Sequence, residues 1–294
     1  MNIKTLKNYL NYICRNMKFH INRHQTVIDI GSGHAPLVRS DILCDFIPFD
    51  ETSQRPVAGI YTPPNRFVVG NVLELPFGTK KFDFAYSRAL LEHVPDPKKA
   101  CEEISRIAKK GLLILPSYLW EIMGGSEPHL WLISRKEDTL VFQRKTSKHL
   151  ELNAQIPEII RNSEQYESLF NAFYDYFYIN FYWKDNIPIE VINDDPNAYI
   201  YKEKFPTVKA ENFKNKFKSP KAIARKLKIF LFETFRNLLG GQKKIDLLSV
   251  IACPFCKESF QNEENKFLFC KHCNVQFPIV DDVPFLVRDC ARKL

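Results

Sequence analysis

Four cysteines near the C-terminus stand in two knuckles, "CPFC" at 253–256 and "CKHC" at 270–273, with thirteen residues between them. Two such pairs can turn four thiolates toward one point. That is the donor set of tetrahedral zinc, with metal–sulfur distances of about 2.3 Å. Cys253, Cys256, Cys270 and Cys273 are therefore the candidate ligands. They fill all four positions, so the Zn2+ would be structural rather than catalytic. His272 lies between two ligands as a bystander. A unit of about 45 residues buries too little apolar surface to fold well alone, so metal should contribute to its folding outright. The other cysteines, Cys14, Cys44, Cys101 and Cys290, are scattered. This is the usage of a metal site in a reducing compartment, not of a disulfide framework.

A second chemistry-bearing stretch is "VIDIGSGHAP" at 27–36. A buried strand here ends on two glycines flanking a serine. Glycine has no Cβ, so the backbone can turn sharply and leave its amides open to a close ligand. A plain tight turn after a buried strand is the alternative. A dinucleotide-binding turn would require Gly-x-Gly-x-x-Gly opening a full helix. Here His34, Ala35 and Pro36 follow instead.

The elements that must hold these residues alternate. The spacing predicts an amphipathic helix over 5–20 rather than a signal peptide. Strands follow in "TVIDI", "DILCDFIPFD", "RFVVGNV" and "KFDFAYS". A helix is predicted in "PDPKKACEEISRIAKKG", with Pro97 near its start and Gly111 after its end. "LLILPS" is a fifth strand, and "LWLISRKEDTLVFQRK" reads as a hairpin turning near Lys136–Asp138. Alternating strands and helices point to a parallel α/β sheet covered on both faces. No run of about 18 apolar residues is present, so no membrane span is expected. The net charge of +8 is concentrated: residues 202–244 hold thirteen lysines and arginines against three glutamates. A basic helix is expected at 219–239. It has three readings: packing on the catalytic domain, lying on an anionic membrane surface, or contacting RNA backbone.

In order along the chain stand "IDIGSG", acids after the next strand, "GNVLELPF" and "FDFAYSRALLEHVPDP". Together, over about 25–120, these resemble the class I S-adenosylmethionine-dependent methyltransferases of the type 11 kind. The resemblance implies a Rossmann-like sheet with helices on both faces and S-adenosylmethionine as cofactor. It also implies cofactor-binding roles. Asp29 would hold the amino-acid end, with Gly31, Ser32 and Gly33 beneath the methionine and ribose. Asp45, or alternatively Asp50, would accept the ribose hydroxyls. Asn71 and Val72 would meet the adenine. Ser87 and Arg88 would line the methionine side. Only eight residues, His34 to Asp41, separate the glycine turn from the next strand, so the helix usual there must be shortened or lost. The resemblance leaves the catalytic residue unassigned. His93, Tyr118 and His129 are weak candidates, with Glu121 and Trp131 in the same region. Methyl transfer from a sulfonium needs alignment more than acid–base chemistry.

"LLSVIACPFCKESF…FLFCKHCNVQFPIVDDVPFLV" resembles the small zinc-ribbon proteins that bind and activate methyltransferases acting on tRNA, ribosomal RNA and translation factors. The expected organisation is a methyltransferase domain at 1–150, an insertion or lid with the basic linker at 151–246, and a zinc ribbon at 247–294. "HLWLI" resembles a segment in a branch found with surface-polysaccharide synthesis, which implies a sugar or another small-metabolite acceptor. An RNA or protein acceptor guided by the ribbon is the alternative, and a non-catalytic binding scaffold is another. A cytoplasmic location is expected, peripheral at the inner membrane surface if the basic segment at 219–244 meets lipid. No stable partner is implied.

Overall fold

The computed structural model describes residues 21, 22, 24–34, 36–46, 62–125, 127–154, 173–192, 245–263 and 266–294, with isolated positions within 163–172 and 198–234. The helix expected over 5–20 and Asp50 lie outside these residues. So does the basic helix of 219–239, Thr234 excepted.

Short apolar runs make the sheet. β1 (Val27–Ile30), β2 (Ile42–Asp45) and β3 (Phe67–Gly70) are buried at every position. β4 (Phe84–Arg88) and β5 (Lys110–Pro116) are buried except at Arg88 and Lys110. Burial on both faces is the condition of a parallel sheet, and it explains why these strands lack polar alternation. They run parallel in the order β3-β2-β1-β4-β5. The chain adds β2 and β3 on one side of β1, then crosses to add β4 on the other. A crevice forms where that order reverses, at the carboxyl ends of the strands. Polar groups pin the opposite ends. The Asp41 carboxylate accepts the Val27 amide at 2.8 Å, and Asp83 accepts the Thr26 amide at 2.9 Å.

Among the described residues no helix stands between Gly33 and Ile42, as the eight-residue spacing requires. α1 (Pro97–Ile107) begins where expected: Asp96 accepts the Lys99 amide at 2.9 Å as N-cap, and Pro97 sits in the first turn. It buries Ala100, Cys101, Ile104 and Ile107 in the core on one sheet face. Leu37 packs on the opposite face against Val27, Phe84 and Leu112, and Val38, Val208 and Ala210 pack there against Leu43, Phe67 and Val69. α2 (Tyr118–Met123) follows β5. The hairpin forms as β6 (Trp131–Lys136) and β7 (Thr139–Arg144), closing through Glu137 at φ +52°. α3 (Ser147–Ala154) and α4 (Tyr174–Phe177) lead into β8 (Tyr178–Lys184).

β8 comes from the stretch expected to form an insertion or lid. It extends the main sheet, paired antiparallel to β5 from Pro116↔Tyr178 to Lys110↔Lys184. Its inward side chains Phe181 and Trp183 are buried, while Tyr182 is exposed. That alternation is the mark of an outer strand. β9 (Ile189–Ile192) then pairs with β7 in the small second sheet.

The C-terminal region, expected as a separate unit, is docked. Its strands β10 (Gln261–Glu263), β11 (Phe267–Cys270), β12 (Val275–Val280) and β14 (Arg292–Lys293) form an antiparallel ribbon. β13 (Val283–Leu286) pairs antiparallel with β12 and parallel with β3, Phe285 opposite Val69. An otherwise open edge strand is thereby covered. The Ala252 amide donates to the Pro76 carbonyl at 2.9 Å, and Lys257 reaches the Glu103 carboxylate at 3.1 Å. Phe77 and Phe82 share one core with Leu268 and Phe277.

Candidate functional site

A cavity of about 670 Å³ opens at the carboxyl ends of β1, β2, β3 and β4. This is the size of a small-molecule site. One wall is the glycine turn. Gly31 and Gly33 hold φ of +75° and +51°, a region costly for other residues. A Cβ on Gly31 would also meet the Leu90 side chain at 3.1 Å. The Gly31 amide donates to the Cys44 carbonyl at 2.8 Å, and the Gly33 amide to Asp45 Oδ2 at 2.9 Å. The turn is therefore tied to the end of β2, and the tie brings Asp45 to the cavity.

The sequence-predicted residues gather here almost completely. Asp29, Gly31, Ser32, Gly33, Asp45, Asn71, Val72, Arg88, His93 and His129 line the cavity, and His34 beside the turn joins them. Asp29 is buried and accepts the Leu37 amide at 2.7 Å. Burial pushes its carboxyl up to about 7, against the opposing pull of that amide. Ser32 Oγ is buried on the wall with no hydrogen-bond partner. Asn71 stands in place, but its amide oxygen accepts the Leu73 amide at 2.9 Å and caps a short 3-10 turn. An adenine amine would have to share that oxygen.

Two expected residues are elsewhere. Ser87 is buried with its hydroxyl donating to the Ile30 carbonyl at 2.9 Å, so it braces β1 against β4 and leaves the wall to Arg88. Alternation along β4 sends the two side chains to opposite sides. Tyr118 is 43% exposed at the start of α2 and faces His149, away from the cavity.

The far wall joins His129 and Glu121, which the sequence offers as candidates, with Glu92, Lys145 and Tyr178, which it does not single out. Glu121 on α2 is buried between His129 Nδ1 and Lys145 Nζ, the latter at 3.0 Å. Trp120 stacks on the His129 ring at 5.1 Å. Glu92 is fully buried, with neither carboxylate oxygen hydrogen-bonded. His129 Nε2 lies 4.0 Å from it. Burial pushes the Glu92 carboxyl up to about 7, partly offset by His129. Tyr178 closes the wall, with the Arg88 guanidinium 5.7 Å from its ring centre and burial holding its phenol up at about 12. Glu92 sits inside the quoted "LEHVPDP", so an acid beside His93 was the available signal. Lys145 and Tyr178 carried none.

Both implied groups fit. An orphaned Ser32 hydroxyl and a cradle that a Cβ would crowd suit a cofactor lying on the glycine turn. In the ribbon, Cys253 and Cys273 sulfurs lie 3.9 Å apart, and those of Cys256 and Cys270 3.5 Å. Four sulfurs at about 2.3 Å around tetrahedral zinc would be separated by about 3.8 Å.

Comparison with known proteins agrees with this division. Residues 29–115 match the family described as Methyltransferase domain. The C-terminal segment is 43% identical over 49 residues to a UPF0434 protein of Dechloromonas aromatica, covering 16% of this chain and 84% of that one. It is 43% identical to the UPF0434 protein YcaR of Salmonella arizonae, covering 82% of it. Among solved structures, a chain from a complex of the Haloferax volcanii Trm112 methyltransferase activator is similar at 15% identity and TM-score 0.38, covering 63% of this chain and 93% of that one. An S-adenosylmethionine-dependent methyltransferase of Mesorhizobium loti is similar at 13% identity and TM-score 0.28, covering 46% and 63%. Residues 29–115 are the methyltransferase domain of an S-adenosylmethionine-dependent methyltransferase, and through its C-terminal zinc ribbon the chain belongs to the UPF0434 family.

Proposed function

We propose that the chain methylates a small, polar acceptor held inside the cavity, of which a sugar is the leading kind. The observation that carries this reading is the division of one enclosed space into two walls. On the first, Asp29, Gly31, Ser32 and Gly33 hold the amino-acid and ribose parts of S-adenosylmethionine, Asp45 takes the ribose hydroxyls, and Asn71 and Val72 take the adenine. A carboxylate accepts two neighbouring hydroxyls well. On the second, Arg88, His93, His129 and Tyr178 face the methyl group. The cofactor supplies a methyl already activated by its positive sulfur. The chain's task is to align the acceptor in line with that bond and to exclude water. A cavity of about 670 Å³ leaves space beside the cofactor for a small molecule.

An RNA or protein acceptor guided by the ribbon is less well supported. No described ribbon residue lines the cavity, and β13 docks on the β3 edge while the far wall is formed around β4, β5 and β8. Ribbon zinc therefore supports the fold of the β3 edge. The basic sequence of 219–244 is proposed to contact an anionic membrane or nucleic acid, and the reduced-cysteine usage supports a cytoplasmic location. Among the described residues, no helix is long and apolar enough to cross a membrane.

Calorimetry with S-adenosylmethionine tests the cofactor half. Wild type is expected to bind with one site, and Asp45→Ala at least tenfold more weakly. No heat with either protein would mean a non-catalytic scaffold. Transfer of labelled methyl to nucleotide sugars but not to total RNA is the expected acceptor result, and the reverse would overturn it.

A further inference from the structure

The far wall contains more buried charge than methyl transfer requires, and its arrangement is that of a ligand set. One donor atom from each of Glu92, His93 and His129 lies within 4.8 Å of the other two. Glu92 is fully buried, and both of its carboxylate oxygens lack hydrogen bonds. Such a carboxylate is costly unless something positive meets it. Lys145 is engaged with Glu121 at 3.0 Å, and Arg88 and His129 act on Glu92 through charge without hydrogen-bonding its carboxylate.

The two imidazoles are held as metal ligands are held. His129 Nδ1 faces the Glu121 carboxylate, and His93 Nδ1 lies 3.2 Å from the Pro128 carbonyl. A proton on Nδ1 in each ring places the lone pair on Nε2. A carboxylate or carbonyl behind the ring is the usual support for a metal-bound histidine, since it fixes tautomer and orientation and raises basicity. The rings cross at 86° with centroids 4.6 Å apart, and Trp120 stacked on His129 restrains its rotation. His129 Nε2 is 4.0 Å from Glu92 Oε1. Ligand atoms about 2.1 Å from a tetrahedral ion are separated by about 3.4 Å, so small side-chain shifts would close the set.

We propose that Glu92, His93 and His129 bind a divalent first-row transition ion, distinct from the ribbon zinc, at the acceptor end of the cavity. Two imidazoles and one carboxylate leave coordination positions open, the pattern of a working rather than a purely structural site. Because His93 and His129 line the cavity while Glu92 lies behind them, the open positions face the acceptor. An acceptor hydroxyl bound there becomes more acidic. This use of the ion rests on the methyl-acceptor reading above. The metal site itself does not.

The test uses the untagged full chain carrying its ribbon zinc, freed of loosely held metal by dialysis and titrated with Co2+. Calorimetry, elemental analysis and visible absorption are the readouts. One further equivalent is expected to bind, with ligand-field bands in the visible and no thiolate-to-cobalt charge transfer in the near ultraviolet. Glu92→Gln and His93→Gln should each abolish this equivalent while the ribbon zinc stays at one. Glu121→Gln should weaken it about 10–100-fold, as loss of a supporting partner does. Near-ultraviolet circular dichroism confirms folding, and His93→Gln decides the matter if Glu92→Gln unfolds. Absence of a second equivalent in wild type would overturn the site. So would a second equivalent that both variants retain, or one with a thiolate spectrum. Titration of the same sample with S-adenosylmethionine separates the two readings: cobalt binding without cofactor binding rejects the methyl-transfer role and leaves the site standing.

Discussion

The two walls of the cavity are made in opposite ways. The cofactor wall comes from loops at the ends of neighbouring strands, and its acids are satisfied by nearby amides: Asp29 by Leu37, Asp45 by Gly33. The far wall is assembled across long sequence separations. Glu121 on α2 meets His129 and Lys145 from two loop positions, with Glu92 alongside from a 3-10 turn, and the Glu121 charge is compensated by Lys145. Local backbone bonding gives a wall that forms as its strands form. A charge network gives one that depends on every member.

That contrast can be broken at its extremes. The largest effect is expected from Lys145→Met. It leaves Glu121 buried without its cation, which should cost about 3–5 kcal/mol by chemical denaturation. Lys145→Met with Glu121→Gln should recover most of that loss. If the single substitution is nearly neutral, the network does not hold the far wall.

The cofactor wall should respond to pH. The Asp29 carboxyl is pushed up to about 7 from an ordinary 3.8, so the folded state favours its neutral form. Its stabilising contribution is complete below about pH 3.8 and is lost as pH rises through 7. Stability from this residue should therefore fall between pH 4 and pH 7, by on the order of a few kcal/mol. Asp29→Asn should flatten that slope in denaturant melts of the cofactor-free chain. An unchanged slope would place the titration elsewhere.

Smaller effects sharpen the comparison. Gly31→Ala forces an alanine to φ +75° against Leu90, for about 1–2 kcal/mol. It should also lower S-adenosylmethionine affinity by about tenfold in calorimetry, because it narrows the cradle. Asn71→Ala removes one cap and should cost about 1 kcal/mol in thermal unfolding.

The same contrast explains what could be read from the chain. β1, the glycine turn and α1 were legible, since apolar runs, paired glycines and an Asp-Pro start are local signals. The cysteine knuckles were legible because metal ligation imposes a spacing. The partners of Glu121 and the place of β8 were not. Lys145 reads as any other lysine until folding sets it beside Glu121. Tyr178–Lys184 is an aromatic-rich stretch whose strand identity depends on seven pairings with β5. Nor does anything in "VPFL" say that it will add to β3, because choice of sheet edge is a long-range property. Of the expected pair Ser87 and Arg88 only Arg88 faces the cavity, because a one-residue step along a strand reverses the side chain.

The central claim is that one cavity takes the methyl donor against the glycine turn and leaves the far wall to the acceptor. A crystal structure of the full chain grown with S-adenosylhomocysteine tests it most directly. The account predicts the ribose on Asp45, the adenine beside Val72 and the sulfur directed toward Arg88, His93 and His129. A cavity left empty beside Gly31 and Gly33, or a ligand bound with its sulfur turned away from the histidines, would contradict it.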